Sequence, residues 1–218
     1  MKKKQYLVVG LGRFGKSIAR TLYELGNDVL GVDLRADNVE DITPYVTQAV
    51  EADATEEENL KALGVNNFDV AVIGIGTDIQ SSVIVTLLLK EMGMKFVLAK
   101  ANTDLHAKIL YKIGADKVVF PEKDTAVRIA HNLVSNNILD FIALSPEYRV
   151  AEILCIKKWI GKNLKQLNIR SKYGINIIII KRGDDINVSP ASDFVFLEGD
   201  IIVAIGRQKE IEKLENSI

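Results

Sequence analysis

Gln5-Tyr6-Leu7-Val8-Val9-Gly10-Leu11-Gly12-Arg13-Phe14-Gly15 is the stretch whose reading decides the fold. Five strand-favouring residues run directly into a Gly-x-Gly-x-x-Gly turn. Beyond it Phe14, Ile18, Leu22 and Leu25 recur near a 3.6-residue period until Gly26-Asn27 supplies a helix stop. Strand, glycine turn and helix in that order open a dinucleotide-binding βαβ unit. Gly10 is expected to permit the tight turn and Gly12 to let backbone approach a diphosphate. Gly15 is expected to let the helix pack closely on the strand, with its free amides facing the phosphates. Asp33 ends the next strand, where an acidic side chain can accept hydrogen bonds from ribose hydroxyls.

Outward from this unit the pattern repeats. Gln5–Val9, Val29–Asp33, Thr47–Ala52, Val70–Gly74, Phe96–Lys100 and Lys117–Phe120 are apolar and bounded by Gly, Asn or Asp, as strands buried on both faces should be. With helical segments between them they predict an α/β fold, a Rossmann-like doubly wound parallel sheet. Thr55 and Glu58 form a capping-box pattern. Ile79 to Met92 is apolar on most faces, which suits a subunit interface and a helix buried in the monomer equally. Pro121 opens a helix whose apolar spacing carries on to Ile138, and Ser145-Pro146 breaks the chain. The expected partition is a nucleotide-binding domain at 1–140, including the helix from Pro121, and a small α+β C-terminal subdomain at 141–218. The second unit reads as strands at Val150–Ile156, Ile175–Lys181 and Ile201–Gly206, a short helix at Asn163–Leu167 and a charged terminal helix. At about 70 residues it is marginal alone and is expected to lean on a partner.

Composition narrows the function. Twenty-eight basic residues against 29 acidic ones give 218 residues a net charge of -1, so there is no overall attraction for nucleic acid or an anionic membrane, and anion binding must be local. One cysteine, Cys155, and two histidines exclude an internal disulfide and leave little for a zinc site. The longest apolar runs, Val83–Leu89 and Ile175–Ile180, are far short of a membrane span. If the protein acts on membrane transport, the pore belongs to another chain.

Individual residues point to phosphate chemistry. Arg13 stands in the first turn of a helix, where a cation opposes the macrodipole unless an anion compensates, so a phosphate contact is favoured over a solvated side chain. Lys100 ends the fifth strand, and ligands of open α/β sheets bind at those strand ends. Gly74, Gly76 and Thr77 end the fourth strand and can lie against a nucleotide, while Asp78 equally suits a helix cap. Arg35 would suit a 2′-phosphate, which Asp33 would repel. Glu122, just inside a helix start, is one carboxylate, too few for a hard cation unless a second copy or phosphate oxygens join it. His106 and His131 read as surface or packing residues.

Together Val9 to Gly15, Val32-Asp33, Ala52-Asp53-Ala54-Thr55, Lys112 to Asp116 and Pro121 to Asp124 make the chain resemble the RCK family, regulators of potassium conductance, over essentially its full length. The resemblance implies a cytosolic, peripheral gating subunit that is not an enzyme. It would form a homo-octamer, a ring of dimers, beneath a separate membrane-embedded potassium transporter subunit and be switched by ATP and ADP, with NAD(H) an alternative nucleotide. It further implies a nucleotide site made by Gly10, Gly12, Arg13, Phe14, Gly15, Asp33, Arg35, Asp53, Ala54, Thr55, Gly76, Thr77 and Lys100, with Arg13 reaching the γ-phosphate held by an adjacent subunit. Glu122 would bind a divalent cation, Mg²⁺ or Ca²⁺, at the dimer interface. Leu164, Ile169, Arg170, Ile175, Asn176 and Pro190 resemble a cyclic di-AMP pocket, although a plain dimer core explains them as well. The competing class is an NAD(P)-dependent oxidoreductase or an NAD(H)-sensing regulator. The sequence supplies no histidine–acid pair and no Tyr-x-x-x-Lys at a usable place for the former.

Overall fold

The computed structural model describes residues 3–134 and 138–215. The chain divides into two compact units, Met1–Lys123 and Asp124–Ile218. In the first, strands β1 (Gln5–Val9), β2 (Asp28–Asp33), β3 (Gln48–Glu51), β4 (Val70–Ile73), β5 (Val97–Lys100) and β6 (Lys117–Val119) form one parallel sheet in the order β3-β2-β1-β4-β5-β6. This is the doubly wound order, and its direction reverses between β1 and β4. Helices α1 (Arg13–Glu24), α2 (Ala36–Ile42), α3 (Glu57–Ala62), α4 (Ile79–Glu91) and α5 (Asp104–Lys112) connect the strands. Alternation along β1 explains why helices are needed on both faces. Leu7 and Val9 enter one buried cluster with Ile73, Val85 and Leu110, while Val8 enters another with Ala19 and Val29.

Each glycine of the first turn meets a different constraint. Gly10 has φ +88° and donates its N–H to the carbonyl of Val32 at 2.8 Å, a conformation that a side chain would strain. A Cβ on Gly15 would lie 1.9 Å from the Gly10 carbonyl oxygen, so only glycine lets α1 sit this close to β1. Gly12 caps α1 and has nothing within 4 Å of where its Cβ would stand.

Four details of the first unit differ from or refine the sequence expectations. The capping box of Thr55 and Glu58 does not form. The Thr55 backbone N–H and hydroxyl both donate to Asp53 Oδ1, at 2.9 and 2.6 Å, and α3 begins after Glu56, which makes no side-chain cap. Asp78 is the cap of α4, accepting from the Ser81 N–H at 3.0 Å and its hydroxyl at 2.7 Å; these bonds hold its pKa below the usual value. The apolar faces of α4 divide, with Val85 and Leu89 buried and Ile79 and Leu87 exposed. His106 is a packing residue with neither ring nitrogen bonded, and burial lowers its pKa, so it packs as neutral imidazole. The side chain of His131 lies outside the described residues.

Helix α6 (Pro121–Val134) begins at the end of the first unit and belongs mainly to the second. The helical period does not carry on to Ile138. Ile138–Ala143 is a strand, β7, pairing antiparallel with β8 (Tyr148–Leu154), and Ser145 and Pro146 lie in the turn between them. The apolar, strand-favouring run 138–143 finds a ladder there, and a ladder outweighs four residues of helical spacing. The second unit continues through α7 (Leu164–Leu167), α8 (Ile169–Tyr173), β9 (Ile175–Arg182), β10 (Asp185–Val188), β11 (Ile201–Arg207) and α9 (Gln208–Glu215). Its sheet order is β10-β9-β11-β8-β7. Trp159, Phe196 and Ile175 centre its core. Arg182 holds the loop over that core through a two-pronged bond to buried Asp200, at 2.7 and 2.8 Å.

Gly15→Ala is expected to destabilise the first unit by about 3 kcal/mol through this backbone clash. Gly12→Ala, at an open position, is expected to cost less than about 1 kcal/mol. Urea unfolding midpoints of the two variants measure the difference, and equal losses would contradict the assigned packing roles.

Candidate nucleotide-binding site

At the carboxyl ends of the parallel strands, over the point where strand order reverses, lies a cavity of about 760 Å³, ample for a nucleotide. The sheet brings distant residues to its wall in strand order. Gly10, Gly12, Arg13 and Phe14 follow β1, Asp33 and Arg35 follow β2, and Asp53, Ala54 and Thr55 follow β3. Gly76 and Thr77 follow β4, Lys100 ends β5 and Glu122 opens α6. Every residue of the expected nucleotide set therefore lines this cavity except Gly15, which is buried behind the loop against Gly10.

Asp33 is fixed by the backbone around it. Its two carboxylate oxygens accept the N–H of Leu11 at 2.6 Å and the N–H of Arg35 at 2.9 Å, tying the loop after β1 to the end of β2. A carboxylate has about four acceptor directions, so two are left toward the cavity. Arg35 turns its guanidinium to Asp37 at 3.4 Å, and both side chains are largely solvated. The turn at Asp53 is closed by Thr55, and its carbonyl accepts the side-chain amide of Asn59 at 2.9 Å.

The cations differ in setting. Lys100 has a side chain only 12% exposed, and its ammonium donates to Glu122 Oε1 at 2.5 Å. That bond holds the Glu122 carboxyl below its usual pKa, with Arg13 adding a smaller contribution. Arg13 is exposed and has no ion pair among the described residues, and no acidic residue occupies the first turn of α1. A positive side chain at a positive helix end, with uncapped amides, is a setting that an anion would relieve. Glu122 is 69% exposed. Among the described residues no three His, Cys, Asp or Glu side chains stand together, so a hard cation at Glu122 needs donors from outside one chain.

Sequence reasoning passed over Asn102, whose side-chain amide donates to the Gly76 carbonyl and joins the ends of β5 and β4, and Asn38, Phe120 and Lys123, which also line the cavity. The rule that ligands sit beyond strand ends could have flagged Asn102, two residues past β5. In the second unit three of the expected residues meet in one cluster, Ile169 and Ile175 with Leu164 packed against them. Ile169 and Ile175 are buried in the core, Arg170 is exposed, and Leu164 and Pro190 are partly buried. Asn176 lines a concavity with Tyr148, Gly174, Ile205, Arg207 and Glu210.

The TrkA-N domain profile matches residues 6–121 and the TrkA-C domain profile residues 157–218. The chain is 45% identical over 216 residues to Ktr system potassium uptake protein C of Bacillus subtilis, covering 99% of this chain and 98% of that one. It is 35% identical over 215 residues to Ktr system potassium uptake protein A of Vibrio alginolyticus, covering 99% and 96%. Among solved structures, the GsuK RCK domain superposes with a TM-score of 0.69 at 18% identity, over 100% of this chain and 48% of that one. The NAD-bound GsuK channel gives 0.67 at 18%, over 99% and 39%. At that identity these structures show a shared fold.

Asp33→Asn places an amide where two backbone donors converge and should cost about 1.5–3 kcal/mol. A urea midpoint equal to that of the unmodified protein would show that the bonds to Leu11 and Arg35 do not hold the loop.

Proposed function

The chain belongs to the RCK family of potassium-transport regulators, and on that footing we propose that it is the nucleotide-binding regulatory subunit of a potassium uptake system. It would gate a separate membrane-embedded subunit from the cytoplasmic face. The observation that carries this reading is the cavity over the β1–β4 switch point, where the glycine loop, Asp33 and two cations converge. Phosphates would lie along Gly10–Gly15 at the amino end of α1, the ribose at Asp33, and the base beyond it, toward Asp53–Thr55 on the neighbouring strand. Asp33 would reject a 2′-phosphate, and Arg35, paired with Asp37, offers it little compensation.

ATP and ADP are the proposed ligands because a terminal phosphate would relieve Arg13, which is exposed at the amino end of α1 with no ion pair among the described residues, and would compete with Glu122 for Lys100. A ligand shifts an equilibrium only as far as it prefers one state. Arg13 would supply that preference by contacting the terminal phosphate of a nucleotide in an adjacent copy. The exposed Ile79 and Leu87 on α4, with Leu105 and Ile109 on α5, give apolar surface for assembly into a ring of eight. A divalent cation, when bound, would neutralise phosphate charge between two copies of Glu122. Cyclic di-AMP is proposed for the second unit, between two copies, through Leu164, Ile169, Arg170, Ile175, Asn176 and Pro190. Full-length relatives named as potassium uptake proteins favour regulation over an NAD(P)-dependent oxidoreductase, and NADH belongs in the titration as the alternative ligand.

Calorimetric titration of nucleotide-stripped protein with ATP, ADP and NADH, with light scattering in parallel, tests the proposal. ATP and ADP should bind an octamer. Arg13→Ala should lose affinity for ATP at least about tenfold more than for ADP, the loss of one charge-assisted contact. Equal losses for both nucleotides would sink the γ-phosphate role, and selective NADH binding to a small oligomer would sink the ATP/ADP switch.

A further inference from the structure

Eight of the 28 basic residues, and none of the 29 acidic ones, fall between Ile153 and Gly183. The near-neutral total therefore hides a segregation of charge within the second unit. Lys181 pairs with Glu152 and Arg182 with Asp200, while Lys172 lies over the ring of Tyr173 at 5.5 Å. Arg170 stands in the proposed second-messenger set. The other four, Lys157, Lys158, Lys162 and Lys165, are exposed, with no side-chain hydrogen bond or ion pair among the described residues.

These four lie on one layer. Lys157 and Lys158 are in a 3₁₀ turn that buries Trp159. The chain then runs beside the loop at 192–196, with Gly161 N–H donating to the Phe196 carbonyl and Lys165 N–H to that of Ser192, both at 2.8 Å. It ends in α7, which buries Leu167. Trp159 and Leu167 enter the same core cluster, so this layer turns its apolar residues to the sheet and its lysines to solvent. Asp193 and Glu198, the exposed acids of the adjoining loop, make no ion pair with them.

We infer that the Lys157–Lys165 face docks on an anionic lipid surface. Protein interfaces are depleted of lysine and enriched in aromatic residues, and no large apolar side chain between residues 155 and 173 is exposed. Four mobile ammonium groups without fixed partners suit a diffuse layer of headgroup phosphates, each contributing roughly fivefold to partition. The docking rests on the proposed function only in that a regulator of a membrane subunit works within reach of a bilayer; the four lysines share no residue with the lining of the nucleotide cavity.

The test is co-sedimentation of the full-length protein with phosphatidylcholine vesicles, with and without a one-third fraction of phosphatidylglycerol. Binding is expected only to the anionic vesicles and should weaken as salt rises. The combined variant Lys157→Gln, Lys158→Gln, Lys162→Gln and Lys165→Gln should lose at least about tenfold in partition. A control with Lys95, Lys108, Lys112 and Lys117 each changed to Gln removes the same charge from the first unit and should bind as the unmodified protein does. No vesicle binding, equal losses in both variants, or lysine-dependent capture by polyglutamate or DNA without vesicle binding would each overturn the inference. ATP titration on the same samples reports the nucleotide site independently, so failure of lipid docking and failure of the proposed function are told apart. The two half-variants, Lys157→Gln with Lys158→Gln and Lys162→Gln with Lys165→Gln, give graded losses if the fourfold variant does not fold.

Discussion

The carbonyl oxygen of Gly10 occupies space that two side chains would otherwise take. A Cβ on Gly15 would lie 1.9 Å from it and one on Gly74 2.6 Å, so the first helix, the first strand and the fourth strand meet around a single backbone oxygen. That contact sets how far α1 advances over the sheet and hence where its free amides face. The position of Arg13 at the cavity wall follows from it. Asp33 then locks the loop from the other side through the N–H groups of Leu11 and Arg35.

Charge at the site is arranged for exchange rather than neutrality. Lys100 is held by an exposed carboxylate and Arg13 by none among the described residues. An arriving phosphate would compete with Glu122 for Lys100, and it would relieve the opposition between Arg13 and the helix end. Nucleotide binding would therefore redistribute existing charge contacts.

The sequence carried the first unit well because its signals are local. Buried parallel strands are continuous apolar runs, and the glycine turn names its own geometry, so all six strands and the residues at their ends were legible. What depended on distant partners was not. Thr55 looked like a cap because its competitor, Asp53, is visible only once the turn closes. Ile138 kept helical spacing although its strand partner lies beyond a turn. Strand β10 alternates Ile186 and Val188 with polar residues, but only over four positions, and all four are exposed. Asn102 reaches Gly76 across 26 residues of sequence, a contact that exists only because β5 lies beside β4. In the second unit, Ile169 and Ile175 read equally as a ligand wall or a core from composition, and their burial is visible only in the packing.

The most direct measurement is amide hydrogen exchange of the full-length protein with and without saturating ATP. The account predicts slowed exchange at 10–16, at 33–35 and at 53–55, the three loops that the parallel strands carry to one cavity. Protection absent from these loops, or confined to the concavity of Tyr148, Asn176 and Arg207, would contradict it.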